Sequence, residues 1–194
     1  MRSDNLVSRC SKYDIVLLDT SAIIGKNYAH TLAKLGFFTD SFKQAPALRI
    51  TQGVCEELQR VISLREPFPN ITRPEYDKIM YNLDSLLDFA REDYRIDSDT
   101  GAQTILGEQT YSKLRETLSS TDIDIIMRAV LYRRGGKSVL AVSSDTELCK
   151  VGRVVSEHLQ LPIPFENFTR KMPSSEICKR MYSVHALHYE TTRT

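Results

Sequence analysis

Two hydrophobic periods run along this chain. Short runs rich in apolar residues have the length and abrupt ends of buried strands: Ile15-Val16-Leu17-Leu18, Ala47-Leu48-Arg49-Ile50 and Val139-Leu140-Ala141-Val142. They predict strands over 14–19, 47–50 and 138–143. Elsewhere apolar residues recur at helical spacing. Tyr28, Leu32, Leu35 and Phe38 predict a helix over 28–38, and Val54, Leu58, Val61 and Ile62 predict one over 52–64. Ile123, Ile126, Ala129 and Val130 predict a helix over 121–134; Leu148, Val151, Val155 and Leu159 predict one over 146–160. Pro162-Ile163-Pro164-Phe165 reads as a weak last strand, its prolines favouring a sheet edge. The alternation predicts an α/β fold, a parallel sheet of four or five strands flanked by helices.

Residues 66–118 interrupt that rhythm. Pro67, Pro69 and Pro74 stop the preceding helix. Ile79, Leu83, Leu86, Leu87, Ala90 and Tyr94 then recur with helical spacing. A loop around Gly101 follows, and Tyr111, Leu114 and Leu118 predict a second helix over 107–118. The segment reads as a helical insertion within a single domain of 194 residues. A C-terminal helical extension is expected over 169–194, its helix over 174–189 with Ile177, Met181, Val184 and Leu187 or His188 on one side.

Composition narrows the class. The chain is 41% hydrophobic, enough for a sizeable core, and contains no run of about 18 apolar residues that would span a membrane. Its opening residues are polar, and the first apolar stretch is cut short by Asp19, so a cytoplasmic location is expected. Cys10, Cys55, Cys149 and Cys178 form no CxxC pair, which argues against a zinc ribbon or a disulfide scaffold. The net charge of +1 points to no partner, but its distribution is uneven. Residues 66–118 carry 11 acids and 6 bases, and residues 119–194 carry 8 acids and 11 bases, so the C-terminal part suits a polyanion better.

The candidate chemistry lies at the strand ends. Strand one closes on Asp19-Thr20-Ser21, and the later strand closes on Ser143-Ser144-Asp145. A carboxylate there is poorly placed for packing and well placed for chemistry, because ligands of open parallel sheets gather outside the carboxyl ends of the strands. Glu56 and Glu57 lie early in the helix after the second strand, and Asp122 and Asp124 open the helix over 121–134. In a parallel sheet all four segments meet on one edge. Converging carboxylates raise one another's pKa, and a hard divalent cation such as Mg²⁺ or Mn²⁺ relieves the repulsion. Such an ion polarises a phosphoryl oxygen and activates water without a His or Cys nucleophile. The chain has no Gly-rich phosphate loop and no GxSxG elbow.

Leu17-Leu18-Asp19-Thr20-Ser21, Val54-Cys55-Glu56-Glu57-Leu58, Ser120-Thr121-Asp122-Ile123-Asp124-Ile125 and Val142-Ser143-Ser144-Asp145 together resemble the PIN-domain family of metal-dependent ribonucleases. The resemblance covers residues 14–65 and 119–168 and includes the ending from Pro162 to Phe168. It implies a PIN-like sheet and an acidic quartet of Asp19, Glu57, Asp122 and Asp145 that is both catalytic and metal-binding, with Thr20, Ser143 and Asp124 in support. Glu57 matches the family's V-x-x-E-L pattern better than Glu56. It further implies Mg²⁺ or Mn²⁺ as cofactor, RNA (single-stranded or structured) as substrate, a homo-oligomer, and an antitoxin or ribonucleoprotein partner. The insertion departs from small toxin-type PIN proteins. Small protein-only ribonuclease P has a comparable insertion, but a basic one.

Each acid also has a plain structural reading. Asp122 suits a helix start, Thr121 with Asp124 suits a capping arrangement, and Asp145 before Thr146 suits an N-cap. Glu56 suits a solvated helix face, and Asp19 is hardest to explain without chemistry. Arg133, Arg134 and Lys137 form a basic turn, and Arg170 with Lys171 follows the last strand; either group suits phosphate contact or a solvated loop. A metal-dependent endoribonuclease is the first reading, and a PIN-like RNA- or protein-binding scaffold without activity is the alternative. A dehalogenase-type phosphatase would need Asp two residues after Asp19, where Ser21 stands. A phosphoacceptor receiver would need paired acids after strand one, yet Asp14 precedes it.

Overall fold

The computed structural model describes residues 10–42, 47–64, 68, 70–88, 90–93 and 99–168. Five strands form one sheet in the order β3-β2-β1-β4-β5, every neighbouring pair parallel. The strands are β1 (Ile15–Leu18), β2 (Ala47–Thr51), β3 (Arg91–Asp93), β4 (Val139–Ser143) and β5 (Phe165–Asn167). β1 and β4, the two most apolar, are buried along their whole length, as expected of central strands covered on both faces.

Eight helices lie among the described residues. They are α1 (Thr20–Ile23), α2 (Tyr28–Phe42), α3 (Gln52–Leu64), α4 (Arg73–Leu87), α5 (Asp99–Leu106), α6 (Glu108–Thr117), α7 (Ser120–Arg134) and α8 (Thr146–His158). None is long and apolar enough to cross a membrane. Phe37 and Phe38 of α2 meet Phe168 just beyond β5, with ring centroids 5.2 to 5.4 Å apart, and these rings are among the largest fully buried side chains. Gly152 of α8 faces the Phe165 ring, and a Cβ there would stand 2.5 Å from it. That helix and that strand close together only because residue 152 has no side chain.

The insertion departs from expectation. Residues 66–118 do not form a purely helical insertion, because β3 lies within them and pairs with β2 through Arg49↔Arg91, Ile50↔Glu92 and Thr51↔Asp93. Arg91-Glu92-Asp93 shows no apolar alternation, so its pairing was invisible to a hydrophobic pattern; short, charged segments are common at sheet edges. The helical spacing through Ala90 and Tyr94 also overreached, since α4 ends at Leu87 with Asp88 as C-cap; Tyr94 lies outside the described residues. Gly101 falls inside α5, not in a loop. The last strand begins at Phe165 and not at Pro162, since Pro162 and Pro164 have no N–H to pair. The expected C-terminal helix over 169–194 lies outside the described residues.

The register places the site. β1 pairs Leu18 with Val142, and the next N–H, that of Asp19, still donates to the Val142 carbonyl at 3.0 Å. Asp19 and Ser143 therefore end neighbouring strands at the same level. The chain leaves β1 toward β2 on one side, while β4 lies on the other. Such a divide, outside the carboxyl ends, is where open α/β sheets hold ligands.

Candidate active site at the carboxyl edge of the sheet

Asp19 follows β1 directly and caps α1, a helix of one turn that the apolar pattern did not reveal. Its side chain is 5% exposed. Oδ2 accepts the Ser21 N–H at 3.2 Å, the Ser21 hydroxyl, and the Ser143 hydroxyl at 2.7 Å. Oδ1 takes none of these bonds. Burial raises the pKa of this carboxyl; the hydroxyl and N–H donors act against that, and the nearby Glu57 charge adds to it.

The other three acids follow the same plan. Glu57, half-buried on α3, accepts the Thr20 hydroxyl on Oε2 at 2.7 Å. Asp122 is the third residue of α7 and closes a capping box with Ser119. Its Oδ2 accepts the Ser119 N–H at 3.1 Å and the Ser119 hydroxyl at 2.7 Å. Asp145 caps α8, its Oδ1 accepting from Glu147 N at 2.6 Å and from Leu148 N at 3.3 Å. In each carboxylate one oxygen holds the local fold and the other makes no hydrogen bond with the described residues. The N-cap reading of Asp145 is thus realised, and Asp122, read as suiting a helix start, closes with Ser119 the capping box that was expected of Thr121 with Asp124. These caps do not compete with chemistry, because each occupies a single oxygen.

Asp19 stands within electrostatic reach of Glu57 and Asp122, and Asp122 within reach of Asp145. Burial raises the pKa of Asp122, and the charges of Asp19 and Asp145 push it further. The four acids are not a closed coordination shell: among the described residues no group of three or more His, Cys, Asp or Glu side chains stands in position to hold a metal ion. An ion shared by them would require the open oxygens to turn inward.

Hydroxyls knit the two central strands together here. Ser21 Oγ accepts the N–H groups of Ser144 at 2.9 Å and Asp145 at 3.1 Å, and Ser143 Oγ accepts that of Asp145 at 2.8 Å. Thr20 and Ser143 were expected here from the sequence, whereas Ser21 was noted only as a flanking hydroxyl. The signal for it was its place two residues after a strand-end Asp, where an Asx-type turn forms.

Lys34 is the residue that sequence reasoning missed. It lies on α2, is 9% exposed, and donates to the Ser21 carbonyl, to the Ile24 carbonyl at 3.0 Å and to Ser144 Oγ at 3.0 Å. Burial lowers its pKa to about 8, and the Asp19 charge works in the opposite direction. A clue was available: Thr31, Lys34 and Phe38 share one helical face, and that face is buried.

Other expected residues sit elsewhere. Asp124 is two positions from Asp122, about 200° around the helix, and faces away from the acids. It is buried with Arg128 Nε 4.0 Å from its Oδ1. Glu56 is exposed and accepts from Gln52 Nε2 at 3.1 Å. Arg133, Arg134 and Lys137 lie at the far end of α7, about 18 Å from Asp122 by helix rise, at the opposite edge of the sheet. Helices that cover a parallel sheet run against the strands, so their C-termini come to the strands' starting edge. Arg170 and Lys171 lie outside the described residues.

No family model matches the chain, and no curated protein matches it. The crystal structure of PAE2754 from Pyrobaculum aerophilum is similar over 82% of this chain and 99% of that one, at 14% identity and a TM-score of 0.45. A likeness at that level assigns the chain to no family.

Proposed function

We propose that this protein is a metal-dependent endoribonuclease of the PIN-domain kind, acting in the cytoplasm and hydrolysing RNA phosphodiester bonds at Asp19, Glu57, Asp122 and Asp145. One observation carries this reading. Four carboxylates from separate segments stand at the carboxyl edge of the sheet, each with one oxygen bonded and one without a hydrogen bond to the described residues. The donor set is all hard oxygen, which suits Mg²⁺ or Mn²⁺, and the pKa values of Asp19 and Asp122 are raised by burial first and by neighbouring carboxylates after it. The order of the four motifs, which resembles PIN ribonucleases, supports the same conclusion.

When bound, the cation would supply Lewis acidity toward a phosphoryl oxygen and lower the pKa of a coordinated water. The chain's own part is positioning. Ser21 and Ser143 fix Asp19, Thr20 fixes Glu57, Ser119 fixes Asp122, and two helix N–H groups fix Asp145. Each tie holds one carboxylate oxygen and leaves the other to turn toward an ion.

The test is cleavage of labelled RNA by purified protein with Mg²⁺ or Mn²⁺ and with EDTA. Wild type should cut only with metal, and Asp19→Asn and Asp145→Asn should not cut while keeping the wild-type circular dichroism spectrum. RNA retained in a gel shift but never cut under any metal condition would instead favour the scaffold reading.

A further inference from the structure

We propose that Lys34 is a positioning residue whose ammonium clamps the turn after β1 to the turn after β4, and so sets the spacing of Asp19 and Asp145. The inference rests on the acid-site reading above and deepens it. An ammonium has three protons to donate. Lys34 has three acceptors: the Ser21 carbonyl, the Ile24 carbonyl and Ser144 Oγ. Ser21 and Ile24 belong to the α1 turn that begins at Asp19, and Ser144 directly precedes Asp145. One buried cation therefore grips the neighbours of both acids. With every proton committed it does not serve as a base toward Ser144.

The clamp is itself anchored. Lys34 Nζ lies 5.8 Å from the centre of the Phe168 ring, a cation–π distance, and Phe168 packs on Phe37 and Phe38. The Phe168 N–H donates to the Ser143 carbonyl at 2.8 Å, tying the same ring to β4. A floating lysine could not set a spacing, but this one is fixed at its stem, its head and the ring beside it. Among the described residues no acid touches the ammonium directly, so its action on the acids runs through backbone and hydroxyl.

The experiment is Mn²⁺ titration followed by electron paramagnetic resonance, alongside thermal melts of the metal-free proteins. It compares wild type, Lys34→Met, Ser144→Ala and Asp19→Asn. Lys34→Met keeps the stem's length and drops the charge; Ser144→Ala removes one tie and keeps the lysine. Wild type should bind Mn²⁺, Asp19→Asn should lose it, and Lys34→Met should weaken it by about tenfold, the usual scale for outer-shell partners. Ser144→Ala should shift affinity the same way by less. A purely structural lysine would lower the melting temperature and leave Mn²⁺ affinity alone; that result in Lys34→Met overturns the proposal. If Lys34→Met does not fold, Ser144→Ala decides, and wild-type affinity in it is equally fatal. Absence of Mn²⁺ binding by wild type overturns the acid-site reading itself, and the clamp with it.

Discussion

The Ser143 hydroxyl donates to Asp19 Oδ2 at 2.7 Å, across 124 positions of sequence. Ser143 Oγ in turn accepts the Asp145 N–H at 2.8 Å. One small side chain thus touches both acids that end the central strands. Ser143→Ala removes a donor from a buried carboxylate and an acceptor from a loop N–H. It should destabilise the fold by about 1–3 kcal/mol and depress metal-dependent cleavage. Urea denaturation measures the first effect, and an unchanged midpoint would show that the bridge carries no weight.

Thr20 gives a cleaner separation of fold from function. Its hydroxyl bonds Glu57 Oε2 at 2.7 Å in a half-buried setting. Thr20→Val preserves shape and removes the donor, so stability should fall by only about 1 kcal/mol. Cleavage should fall by about tenfold or more, as when a metal ligand loses its second-shell partner. Thr20→Ser should recover most of the rate. Equal rates in all three proteins would place Glu57 outside the chemistry.

Acidity offers a third measurement. Asp19 and Asp122 have pKa values raised above 3.8 in the folded protein, chiefly by burial. The folded state therefore holds these protons more tightly than the unfolded chain. Their contribution to stability is fully present below the unfolded pKa and is lost as pH rises through the folded one. Asp14 and Glu75 are shifted the opposite way by their bonds to Ser138 and Thr72, so their effect lies at lower pH. Metal-free wild type should lose stability as pH climbs from about 4, and Asp19→Asn should lose less. Parallel curves for the two proteins would refute this.

The Cys149 thiol should be inert. Burial pushes its pKa up to about 11, with nearby carboxylates adding to the shift. A thiol that stays protonated is a poor nucleophile. Iodoacetamide at pH 8, read by peptide mass spectrometry, should leave Cys149 unmodified in the folded protein and alkylate it in urea. Rapid labelling of the native protein would mean the edge opens far more than its packing implies.

Much of this architecture was legible in the sequence because period and position speak for themselves. Ile15-Val16-Leu17-Leu18 and Val139-Leu140-Ala141-Val142 read as covered strands, and the acids at their ends followed from polarity. Three things escaped. β3 carries no apolar signal, since its place comes from backbone pairing with β2. Asp124 looked like a companion of Asp122, yet helical rotation sends the two in opposite directions. Lys34 drew no reading at all, because a sequence displays the charge of a lysine and not the carbonyls waiting for it. The basic turn at Arg133 was legible as basic, but which edge it occupies depends on the direction of α7 across the sheet.

The bare backbone of Gly152 against the Phe165 ring has a reach beyond packing. Asp145 sits at the tip of the same helix, about 10 Å away along its axis. The flush seating of the shaft fixes where that tip comes to rest. Even a methyl group at 152 would pry the helix off its bed, and the carboxylate would swing with it. Sensitivity of the acid edge to mutation therefore extends to a position that meets none of its acids.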